Sequence, residues 1–288
     1  MGKPALERQT PHYYGLNTRV ARNSLGSFEE VSRKHHLKIT KMKGIIATIM
    51  LMVAFQISTA QSLKTVSYHD GEQKLNGLVT ANVGQELPGV LILPAWKGAD
   101  NEAKAAALEL EKEGYIAFIA DIYGEGNTPA DNAEAAKLSG SYKIDYKAYQ
   151  HRISLAIDQL KAQGARADKI AVIGYCFGGS GALEAARAGF DVQGVVSIHG
   201  GLSKAPDRPN NPITTKVLVE HPAEDQSVSR EDFDNLVAEL KEGGADWQII
   251  IYANTGHTFT NPESPEYDEA MAKRAWNHTL LFLEEVLK

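Results

Sequence analysis

The chain has 288 residues, 43% of them hydrophobic, and a formal net charge of −6 at pH 7. Residues 1–60 hold 9 of the 30 Lys and Arg residues and 3 of the 36 Asp and Glu residues, so residues 61–288 carry a net charge of −12. This acidic balance argues against nucleic acid or an anionic membrane surface as a partner. The length of residues 61–288 suits one α/β domain with a substantial core.

The segment 42–60 has the layout of a secretory signal peptide. Basic residues around Met42 precede a short apolar stretch, and Ser58-Thr59-Ala60 supplies the small residues of a cleavage site. The stretch is too short for a membrane span, which needs about 20 apolar residues, and no cysteine follows the cleavage point to carry a lipid. We therefore expect a mature chain that starts at Gln61 and is exported, periplasmic or extracellular, without a stable membrane anchor.

Residues 1–41 fit no signal design, because they are polar and basic and lack apolar periodicity. A signal peptide should begin a chain, so we interpret Met42 as the true start and residues 1–41 as a disordered upstream extension. The alternative is that these residues form a genuine disordered leader.

Within residues 61–288, short apolar runs alternate with segments of helical periodicity. This alternation predicts an α/β fold with a mainly parallel sheet and helices on both faces. Residues 64–68 and 75–80 alternate apolar and polar side chains and predict an antiparallel edge hairpin. Buried strands are predicted at residues 89–93, 115–120, 170–174, 194–198, 217–219 and 247–252.

Three apolar stripes predict helices between these strands. The first stripe runs from Tyr149 to Leu160 and the second from Phe233 to Leu240, beginning at a capping pair of Ser229 and Asp232. The third is predicted to begin at Ser264-Pro265 and to place Trp276, Leu280, Leu283 and Leu287 on one side. Residues 121–141 are rich in Gly, Asn and Asp and are predicted to form a loop over the active-site edge.

The single cysteine, Cys176, follows a β-branched run and lies in the sequence Gly-Tyr-Cys-Phe-Gly-Gly. This pattern indicates a nucleophile elbow, a sharp turn from strand to helix with cysteine at the position that serine usually holds. Gly174 and Gly178 fit that turn, because side chains there would clash. The alternative is a small buried thiol in a core strand. Ser180 is less suited as a nucleophile because it falls inside the following helix.

A cysteine nucleophile needs a base and a group that orients the base. His257 follows the last predicted strand and is the candidate base, whereas Asp225 follows the strand before it and is the candidate orienting carboxylate. Ligands of open α/β sheets bind at the carboxyl ends of the strands, where both residues fall. Glu224 stays open as the alternative to Asp225.

These motifs together resemble the dienelactone hydrolase family of α/β-hydrolases. The elbow at Cys176, the segment Asp121-Ile-Tyr-Gly, the segment Glu-Asp225-Gln-Ser-Val and the segment Gly-His257-Thr-Phe-Thr-Asn-Pro occur in the order and spacing of that family. The resemblance implies an α/β-hydrolase domain over residues 61–288 that needs no cofactor or metal. It also implies a triad of Cys176, His257 and Asp225 that cleaves an ester or lactone through an acyl-enzyme.

The resemblance further implies an oxyanion hole from the backbone N–H groups of Phe177 and Trp96. The substrate pocket that it implies is lined by Tyr123, Glu125, His199, Thr258 and Asn261. Oligomeric state is not indicated.

Three departures from the family pattern bear on the substrate. Members that act on dienelactone have a glutamate just before the oxyanion-hole residue, where this chain has Ala95. They also hold the substrate carboxylate with two arginines, where this chain has Glu125 and Asn261. We therefore expect a neutral ester or lactone as substrate rather than an anionic one.

Two other functions would each explain part of the sequence. His199, His221 and His257 all follow strands and could hold zinc, although no closely spaced ligand pair supports this. A ligand-binding protein of the same fold that has lost activity would explain the missing glutamate and arginines, but not the retained Cys, Asp and His.

Overall fold

The computed structural model describes residues 62–288. The predicted extension and signal peptide lie outside the described residues. The strands are β1 (Lys64–Asp70), β2 (Gln73–Val79), β3 (Gly89–Leu93), β4 (Ile116–Ile119), β5 (Ile170–Tyr175), β6 (Gly194–Ile198), β7 (Lys216–Pro222) and β8 (Trp247–Tyr252). The helices are α1 (Asn101–Lys112), α2 (Asn132–Ile144), α3 (Tyr146–Ala162), α4 (Phe177–Arg187), α5 (Arg230–Glu242) and α6 (Glu269–Leu287).

The strands form one eight-stranded sheet in the order β1-β2-β4-β3-β5-β6-β7-β8. β1 and β2 pair antiparallel, as the alternating pattern of residues 64–80 predicts, and β2 joins β4 antiparallel. From β4 to β8 every neighbouring pair is parallel. Parallel strands place all their carboxyl ends on one edge, and the loops at that edge carry the candidate site.

Helices cover both faces of the sheet, as predicted. On one face, the buried stripe of α3 (Tyr149 to Leu160) and Leu236 and Leu240 of α5 join one apolar cluster. On the other, α1 and α6 pack against the alternate side chains of the same strands. The buried side chains of β3 and β5 therefore divide between the two clusters according to the two-residue period of a strand.

The prediction that residues 247–252 form a buried strand is wrong for burial, although the strand bounds are right. β8 is the edge strand, and it pairs only with β7 among the described strands. Its outer side is open, so Ile251 is 57% exposed. A run of apolar residues does not distinguish an edge position from a central one.

Two boundaries on the functional edge also differ from the predictions. Residues 121–141 are not all loop, because α2 begins at Asn132 after the cap residue Asp131. Only Ala135 and Ser139 of this helix are buried, so it has no apolar stripe that periodicity could detect. The last helix begins at Glu269 rather than at Ser264-Pro265, because Asp268 caps it and residues 264–268 form turns.

None of the helices described within residues 62–288 is both long enough and apolar enough to span a membrane.

Candidate active site

The turn between β5 and α4 holds Cys176 in a strained conformation. Its φ is 52° and its ψ is −110°, in a region that side-chain-bearing residues rarely adopt. A Cβ at Gly174 would lie 2.0 Å from the carbonyl oxygen of Gly178, and one at Gly178 would lie 1.9 Å from that of Leu93. The two glycines are therefore required by direct backbone contact, as the elbow pattern predicts.

Cys176, His257 and Asp225 lie together at the carboxyl edge of the sheet. The Nε2 of His257 is 3.1 Å from the Sγ of Cys176, and its Nδ1 is 2.8 Å from Oδ2 of Asp225. Cys176 comes from the β5–α4 turn, Asp225 from the loop after β7 and His257 from the loop after β8. Neighbouring Glu224 is exposed, so the structure places Asp225, and not Glu224, against the histidine.

The charges of this cluster stabilise one another. Burial alone would lower the pKa of His257, but its hydrogen bonds with Asp225 and Cys176 outweigh burial and raise the pKa to about 10. Burial would likewise raise the pKa of Asp225, yet hydrogen bonds from His257 and Ser227 bring it down to about 2. At neutral pH the imidazole is therefore protonated beside an ionised carboxylate.

Ser227 is a part of this cluster that sequence reasoning missed. Its hydroxyl donates to Oδ1 of Asp225 at 2.6 Å and lies 2.9 Å from Nδ1 of His257. Its backbone N–H donates to the same carboxylate oxygen. An Asp side chain often accepts a hydrogen bond from the backbone two residues later in a turn. The spacing of Asp225 and Ser227 in the sequence could therefore have indicated this contact.

Of the two predicted oxyanion-hole residues, Phe177 directly follows the nucleophile, and Trp96 lies on the loop after β3 at the same edge of the sheet. Phe177 opens α4, where its N–H has no partner within the helix. Its ring is stacked on Tyr149 at 4.5 Å and on Tyr123 at 5.8 Å, and the hydroxyl of Tyr149 donates to its carbonyl oxygen. Trp96 lies in the turn after β3, and its carbonyl oxygen accepts a hydrogen bond from Tyr123.

A cleft of about 300 Å³ extends from Phe177 along the loops after β3 and β4. Tyr123 and Glu125 line it, as predicted, and Lys97 contributes a positive charge to the lining. Glu125 is half exposed and forms an ion pair with Lys74 at 3.1 Å. Its charge is therefore largely compensated, which the sequence did not indicate.

Thr258 and Asn261 are used within the loop that carries His257. The hydroxyl of Thr258 lies 2.5 Å from that of Ser264 and donates to Glu266, which also accepts the Thr258 N–H. The side-chain oxygen of Asn261 accepts from the N–H of Glu263. These bonds hold the loop that carries the histidine, and neither residue is among the described residues that line the cleft, where the resemblance places them.

His199 and His221 have separate surroundings. His199 is only 1% exposed and lies behind the nucleophile, where Cys176 N–H and Thr260 engage its two nitrogens. His221 packs its ring on Phe233 at 5.4 Å. Within residues 62–288, no group of three or more His, Cys, Asp or Glu side chains is arranged to hold a metal ion.

Comparison with known proteins then gives the family. The family model described as "Dienelactone hydrolase family" matches residues 75–287. The chain belongs to the dienelactone hydrolase family. The resemblance found in the sequence motifs is thereby confirmed, and so are the α/β-hydrolase fold and the assignment to a family of hydrolases.

Individual relatives match over most of their length. A Bradyrhizobium protein named "Probable 2-oxo-3-(5-oxofuran-2-ylidene)propanoate lactonase" is 28% identical over 74% of this chain and 90% of its own. The crystal structure of a dienelactone hydrolase-like promiscuous phosphotriesterase from metagenomic libraries is 30% identical, with a TM-score of 0.73 over 80% of this chain and 100% of that one. The structure of m3DLH is 31% identical, with a TM-score of 0.74 over the same shares.

Proposed function

We propose that this hydrolase cleaves a neutral ester or lactone through an acyl-enzyme on Cys176. The observation that carries the proposal is the line of contacts from Asp225 through His257 to Sγ, at 2.8 and 3.1 Å. Those distances suit an activated nucleophile whose base is held by a third group.

In the first half of the proposed reaction, Nε2 of His257 holds the proton of the Cys176 thiol, so Sγ attacks the acyl carbon as a thiolate and the carbonyl π electrons move to the oxygen. The N–H groups of Phe177 and Trp96 stabilise that oxyanion. When the carbonyl re-forms, the bond from carbon to the leaving oxygen breaks, and Nε2 of His257 gives its proton to that oxygen. The product is a thioester and an alcohol, which in a lactone stays tethered to the acyl group.

In the second half, a water molecule gives a proton to Nε2 of His257 and attacks the thioester carbon. The carbon–sulfur bond breaks, the acid leaves and the pair of Cys176 and His257 is restored. Asp225 keeps the imidazole in the tautomer and orientation that both halves require.

The substrate is proposed to be neutral because no arginine is among the described residues that line the cleft. Lys74 is already paired with Glu125, so it is not free to bind a substrate carboxylate. A carboxylate-bearing lactone is the second candidate. It is favoured by Lys97 in the lining and by the name of the Bradyrhizobium relative, which describes a lactonase that acts on a propanoate.

The experiment that tests the function is a screen of neutral esters and lactones against the wild type and Cys176→Ala. Hydrolysis by the wild type that is lost in the variant supports the proposal. Failure of the wild type on every compound, with the thiol inert to labelling, would favour a binding protein that has lost activity.

We also propose that the protein is exported and starts at Gln61 after cleavage. The support is the layout of residues 42–60, with a basic start, a short apolar core and small residues before the cleavage point. N-terminal mass analysis of secreted protein tests this. A mature protein that retains residues 1–41 would refute it.

A further inference from the structure

A line of buried polar side chains runs from the back of Cys176 to the start of α1. The N–H of Cys176 points at Nδ1 of His199 at 3.2 Å, while also donating to the Ile198 carbonyl oxygen at 3.0 Å. The Nε2 of His199 is 2.7 Å from Oγ1 of Thr260, and that hydroxyl donates to Oε1 of Glu102 at 2.5 Å. Four segments that are distant in sequence therefore meet through three hydrogen bonds.

The direction of these bonds follows from one fixed proton. Because Cys176 N–H donates to Nδ1 of His199, that nitrogen carries no proton. A neutral imidazole then has its proton on Nε2 and donates it to Thr260. The Thr260 hydroxyl has only its own proton left to donate, and the carboxylate of Glu102 accepts it.

Burial keeps His199 neutral. The ring is 1% exposed, and burial together with the positive charge of His257 lowers its pKa to about 3. The two imidazole rings meet edge to face at 5.4 Å. A neutral ring can stand beside a protonated His257, whereas a second cation there would repel it.

Glu102 is an unusual residue to find at the end of this line, because a buried carboxylate is costly without a partner. It is 8% exposed and lies in the first turn of α1, where the helix dipole favours a negative charge. Its contact with His199 is 4.0 Å, so it acts on the ring mainly through Thr260.

We propose that Glu102, Thr260 and His199 form a positioning chain that fixes the strained turn of the nucleophile and so holds Sγ of Cys176 on His257. The proposal rests on the proposed role of Cys176 as nucleophile. The φ of 52° at Cys176 needs support from its surroundings, and the chain supplies a second acceptor for the N–H of that residue. These positioning residues do not touch the reacting atoms.

The positioning chain responds to pH through Glu102. Burial raises the pKa of this carboxyl to about 7, against the opposing effect of the Thr260 hydrogen bond. Above that pH the ionised carboxylate accepts from Thr260 and the chain is closed. Below it the neutral carboxyl accepts the Thr260 hydrogen bond more weakly, which loosens the positioning chain. The titratable groups around Glu102 come from several elements. They are Asp100 and Glu109 of its own turn and helix, Tyr175 at the end of β5, His199, Glu220 of β7 and His257.

The test uses iodoacetamide, which alkylates the only cysteine of the chain and needs no ester substrate. In the wild type, the alkylation rate against pH should show a step near pH 7. Thr260→Val should remove the step and lower the rate at about pH 8 by about tenfold, since misplacement of a reacting atom is costly. Thr260→Ser keeps the hydroxyl group and should show both the step and the wild-type rate. Glu102→Gln should abolish the step.

Thr279→Val is the matched control. Thr279 is a buried threonine that donates to a buried glutamate, Glu220, at 3.2 Å. Glu220 lines the same cavity as Glu102 but is not part of the positioning chain. This control should keep the step near pH 7. A profile for Thr260→Val and Glu102→Gln that matches Thr279→Val would overturn the proposal and leave a structural role only. If Thr260→Val does not fold, Glu102→Gln decides alone.

Failure of this proposal is separable from failure of the proposed function. Normal esterase activity with no step near pH 7 in alkylation would refute the positioning chain and leave the acyl-enzyme intact. The opposite result is a step in the alkylation profile that Glu102→Gln removes, in a protein that hydrolyses none of the esters and lactones. It would refute the proposed function and support the positioning chain.

Discussion

At the scale of single residues, the proposed reaction depends on the histidine that links Asp225 to Cys176. His257 is on a loop, its side chain is 23% exposed, and its two nitrogens are occupied by its two partners. Its removal should therefore damage chemistry far more than folding.

His257→Gln should lower esterase kcat/KM by at least about a hundredfold, because the proton acceptor and donor is lost. The melting temperature should shift by only a few degrees, since a loop side chain contributes little to the core. His151→Gln is the control, because that ring lies on α3, is more than half exposed and pairs with Asp70. Equal losses of activity and stability in His257→Gln would identify a structural histidine instead.

Asp225→Asn should lower activity less than removal of His257, since its role is orientation, and Glu224→Gln should leave activity unchanged. Asp225→Asn should also reveal how the carboxylate of Asp225 contributes to the free energy of unfolding as pH changes. Lowering the carboxyl pKa from its ordinary 3.8 to about 2 stabilises the folded state at neutral pH by about 2 kcal/mol.

The sign of that contribution is set by the direction of the shift. A depressed carboxyl pKa stabilises the fold above about pH 4, and the contribution is lost as pH falls toward about 2. The difference in unfolding free energy between wild type and Asp225→Asn, measured by denaturant titration, should narrow over that range. A difference that does not change with pH would show that the carboxylate is not paired as described.

At the scale of elements, the junction of β5 and α4 sets the position of the nucleophile. Gly178→Ala should destabilise the protein by several kcal/mol and abolish activity, because its Cβ would meet the backbone of Leu93 at 1.9 Å. Gly140→Ala is the control. Gly140 lies in α2 with nothing within 4 Å of its added Cβ, so this change should be stabilising by about 0.5–1 kcal/mol. Tolerance of Gly178→Ala in thermal unfolding would contradict the close packing of the elbow.

The elements also show what the sequence can and cannot predict. Strands β3 and β6 match their predicted bounds, because continuous apolar runs between breakers are local signals. The helix α2 was missed because it buries only Ala135 and Ser139, so its stability comes from capping and tertiary contacts rather than an apolar stripe.

The candidate site, too, could be predicted only in part from the sequence. Cys176 and its flanking glycines could be predicted, because the constraint on the turn is local. The connection of Glu102 to Cys176 could not, because Thr260 and Glu102 are 158 residues apart in the chain and an acidic residue in a first helical turn is ordinary. The pairing of Glu125 with Lys74 was missed for the same reason.

At the scale of the whole molecule, the charge of the cleft determines which substrates are favoured. Among the described residues, the lining includes no arginine and one lysine, Lys97, together with the acidic residues Asp121 and Glu125. An anionic substrate would lack charge-assisted hydrogen bonds of about 1.5–3 kcal/mol each. We expect kcat/KM for a short neutral ester or lactone to exceed that for its carboxylate-bearing analogue by at least about a hundredfold.

Two variants locate the source of that preference. Glu125→Gln should change it little, because Lys74 already compensates the charge. Lys97→Ala should lower kcat/KM for the carboxylate-bearing analogue further if Lys97 binds its carboxylate. Comparable rates on the two substrates, with loss of the anionic activity in Lys97→Ala, would instead favour the carboxylate-bearing lactone.

The central claim, that Cys176 carries the acyl group, is tested most directly by mass analysis of the protein quenched during turnover of a slowly hydrolysed ester. We expect one acyl group on the peptide that contains Cys176, its disappearance as the ester is consumed, and no modification or turnover in Cys176→Ala. Turnover by the wild type without an acyl group on that peptide, or undiminished hydrolysis by Cys176→Ala, would contradict it.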